Sequence, residues 1–228
     1  SQIDKGLATQ VAYNLGLHIP EVIAGNLNVP ADGDPADYQS VQVEGEIAAS
    51  AALSMANTIK DSILSRKIAI LAADGVNSDS FSIVKAILEA EGAVVEIIAP
   101  KLGFIVAENN EQIEVHQSFL TAASVLFDAV YVAGGTNCVA TLEAEANAVH
   151  FLNEAFKHCK AIGAAQDGMQ VLEATYFSKK LPDDFSEDSV LKEGVLVGVP
   201  DKKFGRLFVK MIAQHRFWER EKPRLIPA

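Results

Sequence analysis

The residues best placed to do chemistry lie in KAIGAAQDGMQVL, Lys160 to Leu172. There a short apolar strand, Ala161 to Ala165, runs into a turn and then a helix, which is the shape of a nucleophile elbow. Such a turn lifts a Ser or Cys to the carboxyl edge of a parallel sheet, at the amino end of a helix whose dipole favours a thiolate. The apex here reads Gln166-Asp167-Gly168. Gln is not a nucleophile, so the scaffold of a site is present without its reacting atom. Two more loops fall at the carboxyl ends of apolar strands, where open α/β sheets place their ligands: Asp74 to Asp79 and Gly134 to Asn137. With a Cys at the apex, N–H groups near Gly134 and Gly135 would serve as an oxyanion hole, and a carboxylate from the first loop would tune the thiol. That chemistry does not close around a Gln. Asp74 and Asp79 read as a turn residue and a helix-start residue.

Cys138 follows the glycine pair near an expected helix start, where a thiol becomes more acidic and oxidisable, so it is the candidate for redox chemistry. The plainer reading is a small buried side chain. Cys159 falls between a helix end and a strand and reads as inert. His116 ends a strand, His150 and His158 lie eight apart on one helix, and His215 sits on an apolar stripe. None pairs at the i, i+4 spacing of a helical metal site, so each reads as a packing residue. Neither G-x-G-x-x-G nor G-x-x-x-x-G-K-[ST] occurs, which argues against a nucleotide; an anion on the N–H groups of Ser78 to Ser80 is the remaining option. No cofactor and no metal are expected in this chain.

The elements that position these loops start at Arg66. Strands KIAILA (Lys67 to Ala72), AVVEIIA (Ala93 to Ala99), AVYVA (Ala129 to Ala133), the elbow strand and Gly194 to Val199 alternate with helical periods, which implies a mainly parallel sheet with right-handed crossovers. Helices are expected over Ser80 to Glu91, Val139 to His158 (burying Leu142, Ala146, Val149 and Phe156) and Lys202 to Glu219. A hairpin, Phe104 to Ala107 with Gln112 to His116, turns through Asn109-Asn110. Ahead of the sheet, a helix over residues 1 to 17 with a Gly16 cap, a linker over 18 to 45 rich in Pro, Gly and Asp, and a lead-in helix over Glu46 to Leu64 form a first region, 1–65. The main domain is 66–228.

With 228 residues and 49% hydrophobic side chains, the chain has the material for a full core. Its apolar runs fall short of the ~20 residues a membrane span needs. It starts with Ser, without a signal-like segment, and reads as a processed or excised fragment. The net charge of −11 argues against nucleic acid and membrane partners. Residues 202–228 hold eight basic and two acidic side chains, net +6, against 11 basic and 28 acidic in residues 1–201, net −17. Such a basic tail is expected to dock on the acidic body or on a neighbouring copy. Cytoplasmic and secreted locations stay equally open.

The order of elements, the Gly-Gly loop and the elbow resemble the PfpI and class I glutamine amidotransferase-like superfamily. In that family the elbow reads K-P-V-A-x-I-C-H-G-P-Q-x-L; Lys160 to Leu172 laid upon it puts Gln166 at the nucleophilic Cys and Asp167 at the His, with Gly168, Gln170 and Leu172 matching. The family's Glu falls on Asn77. Over nearly the whole length, VAYNLGLHIP, SRKIAILAADGV and AQHRFWEREKPRLIPA are similar to the C-terminal region of large-subunit haem catalases of fungal type. The resemblance implies a flavodoxin-like three-layer sandwich after a helical and linker segment. It also implies a non-catalytic accessory domain that packs on the catalase core, stabilises the oligomer and, in isolation, acts on unfolded protein clients as an ATP-independent holdase. Haem and peroxide dismutation would belong to the parent, because no Tyr here stands in R-x-F-x-Y. The alternative is a degenerate PfpI-like hydrolase or deglycase with residual or redox-sensing activity.

Overall fold

The computed structural model describes residues 5–17, 51–54, 57–182 and 184–220. The chain divides into two units, Ser1–Ala49 and Ser50–Ala228. In the first, α1 (Lys5–Asn14) forms where the period of four apolar residues requires it, and Gly16 closes it at φ 66°. The linker expected over 18 to 45 lies outside the described residues.

The lead-in helix expected over Glu46 to Leu64 does not form in its described part. A single 3₁₀ turn, Ala51–Leu53, is followed by turns, and Ile59 is exposed while Ile63 is buried. Short polar side chains compete for the backbone here: Asn57 Nδ2 donates to the Ala51 carbonyl at 3.1 Å and Ser62 Oγ accepts from the Leu64 N–H at 3.1 Å.

The second unit runs β1 (Lys67–Leu71), α2 (Ser78–Ala90), β2 (Val94–Ala99), β3 (Gly103–Val106), β4 (Gln112–Val115), β5 (Gln117–Ser118), β6 (Ala129–Val132), α3 (Thr136–Ala144), α4 (Ala146–Lys157), β7 (Ala161–Ala165), α5 (Met169–Glu173), α6 (Glu187–Glu193), β8 (Val195–Gly198) and α7 (Lys202–Ala213). Six strands form one parallel sheet in the order β5-β2-β1-β6-β7-β8, and β3 and β4 pair antiparallel as the expected hairpin. β6 and β7 are buried along their whole length, so they read as unbroken apolar runs rather than alternating ones. Helices α2 and α7 pack together on one face, and α3 packs with α4 and α5 on the other. No described helix is long and apolar enough to cross a membrane.

The stripe of α7 meets the sheet through Phe204, Phe208, Met211 and Ile212, all buried. A Cβ at Gly163 would lie 2.8 Å from the Phe208 ring, so the glycine in β7 makes room for that aromatic. Tyr131 of β6 fills the same layer, 5.8 Å from Phe204 and 6.1 Å from Phe208 between ring centroids.

Two long helices come out shorter than their periodicity suggests. The run from Val139 to His158 is two helices broken at Glu145, whose backbone leaves the helical region (ψ 103°) and whose carboxylate accepts from the Asn147 N–H at 3.1 Å. The break rotates the core face: Ala148, Phe151, Leu152 and Ala155 are buried, Ala146 is exposed and Val149 is half-buried. The closing helix stops at Ala213 instead of continuing to Glu219, because His215 takes φ 73°. Beyond it Arg216 and Arg220 dock on the body. Arg66, His215 and Arg216 each approach Asp128 to 3.9 Å, and Arg220 donates to the Glu193 carbonyl at 2.8 Å and the Lys160 carbonyl at 2.9 Å while covering the Phe156 ring at 4.3 Å.

Candidate functional site

The three loops converge at the carboxyl edge of the sheet. They enclose an open cleft of about 690 Å³ whose walls include Asn77, Asp79, Glu108, Gly134, Gly135, Gln166 and Asp167. The loop after β1 and the loop after β6 are tied together by the Asn77 N–H, which donates to the Gly134 carbonyl at 2.9 Å. Gly135 has φ 115°, and a Cβ on it would lie 2.2 Å from the Gly75 carbonyl oxygen. Only glycine fits that approach, which is why the pair follows β6.

Gln166 follows β7 and is exposed in the cleft. Asp167, exposed in the cleft, reaches the loop after β6: its Oδ2 accepts from the Gly135 N–H at 2.7 Å, and a Cβ at Gly134 would lie 2.5 Å from its Oδ1. The backbone donor that an oxyanion hole would offer is thus already held by a carboxylate of the same chain. Asn77 is the cap of α2, with Oδ1 accepting from the Ser80 N–H at 3.0 Å and Nδ2 donating to Glu108 Oε2 at 3.0 Å. Its amide groups are therefore occupied in ordering the loop. Asp74 accepts from the Val106 N–H at 2.9 Å and fastens the hairpin, whereas Asp79 stands in the first turn of α2.

Glu108 is the wall residue that sequence reasoning missed. In the sequence it precedes Asn109-Asn110 and looks like a solvated turn residue; docking of the hairpin, through the Glu108 N–H on the Val76 carbonyl at 3.0 Å, carries it to the cleft. Asp79, Glu108 and Asp167 thus share a wall that, among the described residues, holds no Lys, Arg or His. A negative field of this kind opposes the oxyanion that acyl transfer develops.

Cys138 lies in the first turn of α3 but does not line the cleft. It is fully buried, its Sγ accepts from the Ala73 N–H at 3.3 Å, and burial pushes the thiol up to about 12, with Asp167 adding to the shift. Cys138 thus sits as a small buried side chain, the plainer reading of the sequence, and desolvation outweighs the helix dipole there. Cys159 is buried as well, at φ 59°. His116 Nδ1 accepts from the Ile97 N–H at 3.0 Å, and His158 sits 3.5 Å from Glu154. Among the described residues no three His, Cys, Asp or Glu side chains stand together as a metal site would need. A haem needs an open axial position beside a ligand such as tyrosine. Tyr131, enclosed by Phe204 and Phe208, does not fit that role.

The fold is flavodoxin-like, as in solved structures of DJ-1 and ThiJ/PfpI proteins. Oxidised DJ-1 of Toxoplasma gondii superposes with a TM-score of 0.54 at 14% identity, covering 70% of this chain and 95% of that one. The chain belongs to the family of C-terminal domains found in long catalases, whose model matches residues 64–222. It is 36% identical over 224 residues to Catalase HPII of Mycobacterium avium, which covers 96% of this chain and 29% of the relative. It is 34% identical over 215 residues to Catalase-2 of Bacillus subtilis, covering 92% of this chain and 28% of that protein.

Proposed function

We propose that this chain is a non-catalytic accessory domain of a large haem catalase, and that its carboxyl-edge cleft is a retired active site. The observation that carries the reading is the Asp167 carboxylate on the Gly135 N–H at 2.7 Å. Together with Gln166 at the elbow apex, it leaves the elbow without its nucleophile and without a free oxyanion donor at Gly135. The fully buried Cys138 supports the same reading, since a thiolate is needed for attack and burial disfavours it. Peroxide dismutation, and the haem that performs it, belong to the remainder of the parent, because the relatives are catalases of which the chain spans under a third.

The domain's task in that parent is to pack on the catalase core and stabilise the oligomer. Alone, it acts as an ATP-independent holdase. Exposed apolar side chains support this, among them Leu7, Val11 and Leu15 near the start and Phe104, Leu120 and Val125 on the second unit. The net charge of −11 would keep a captured client in solution. The experiment is thermal aggregation of an unrelated enzyme followed by light scattering without ATP. A molar excess of the chain is expected to suppress the rise; scattering as fast as with albumin removes the holdase role.

A further inference from the structure

A second concave surface lies away from the cleft, between α6 and the solvent side of α7. It is a groove of about 810 Å³ with Phe185 and Leu207 at its floor and Lys202, Lys203, Arg206 and Lys210 along its rim. Both floor residues are partly buried against the core, so they are fixed in place. The two acids at the groove are already engaged: Asp201 caps α7 by accepting from the Phe204 N–H at 2.8 Å, and Glu187 pairs with Lys210 at 2.7 Å. Among the described residues, the side chains of Lys202, Lys203 and Arg206 make no ion pair or hydrogen bond within bonding distance, although the Lys203 charge, after that of Lys210, helps to lower the Glu187 carboxyl.

The position of these cations is unfavourable for the helix that bears them. Lys202 and Lys203 occupy the first turn of α7, where the dipole disfavours positive charge by about 0.3–1 kcal/mol each and where acidic residues normally stand. The first turn of α7 holds no acid. A local rule broken without a fold-level gain marks a surface kept for an external contact. The cations are also out of keeping with the chain, whose residues 1–201 carry net −17.

We propose that this groove binds an extended acidic polypeptide segment carrying one large apolar residue. The rim from Lys202 to Lys210 spans about 12 Å of helix, the length of roughly four residues of extended chain. Carboxylates of such a segment meet Lys203 and Arg206, and its apolar residue covers Leu207 and Phe185. A short segment feels this local field within a Debye length of about 8 Å, whereas a long polyanion such as nucleic acid is repelled by the acidic body. The inference concerns α7 only and does not depend on whether the carboxyl-edge cleft is catalytic.

The test uses the full chain and a fluorescein-labelled peptide of sequence Glu-Glu-Phe-Glu-Asp-Glu, read by fluorescence anisotropy at low and physiological salt. Saturable, salt-sensitive binding is expected. The double variant Lys203→Gln, Arg206→Gln should bind about tenfold more weakly, whereas Lys179→Gln, Lys180→Gln, which removes the same charge from an exposed turn outside the groove, should stay within about twofold. Replacing Phe by Ser in the peptide should also weaken binding. All of these side chains are exposed, so an unchanged melting temperature will show that the variants fold. Absence of saturable binding, an equal loss in both double variants, or equal affinity for the Ser peptide would each overturn the proposal.

Discussion

Asp167 holds its place through one charge-assisted contact to the Gly135 N–H, part-buried and 2.7 Å long. Asp167→Ala should therefore lower the unfolding free energy by about 1–2 kcal/mol in a denaturant titration, and an unchanged midpoint would show that the contact is not formed. Lys160 is nearly fully buried and donates to the Ser124 carbonyl; burial and then the Arg216 charge bring its amine down to about 8. Between about 8 and its ordinary value of 10.5 the unfolded chain holds the extra proton, so stability rises with pH across that window. Lys160→Met should flatten the rise, measured as the slope of melting temperature against pH. His215 is brought down to about 4 by burial and by Arg216 and Arg66. Here stability should fall as pH drops from 6.5 to about 4, and the fall should shrink in His215→Asn, which also accepts φ 73° more readily.

At the scale of elements, α7 closes the sheet through Phe208, which is fully buried against Gly163 and Tyr131. Phe208→Ala should destabilise by about 3–5 kcal/mol, readable by calorimetry, since the glycine opposite leaves nothing to fill the space. The helix was legible because its apolar residues repeat on one face with no break, and the strands because they are unbroken runs. What escaped the sequence was set by side chains acting on the backbone. Glu145 caps a new helix in the middle of an apolar period, His215 takes a left-handed conformation at the end of one, and Asn57 and Ser62 take up hydrogen bonds where a lead-in helix was expected. The convergence of the three loops could be read from their places after β1, β6 and β7. Glu108 could not, because its approach depends on where the hairpin docks rather than on any pattern around it.

For the whole molecule, the charge asymmetry has a structural outcome. Arg216 and Arg220 cover the edge of the sheet opposite the cleft, Arg220 half-buried over Phe156 and Arg216 beside Asp128, so these two cations tie the end of the second unit to its body. Among the described residues, the cleft at the other edge is lined by three carboxylates and no cation. The most direct measurement is turnover of methylglyoxal and of glutamine by the full chain, with Cys138→Ala alongside. The account predicts no turnover by either protein; activity that disappears in Cys138→Ala would contradict it and restore the cleft as a working site.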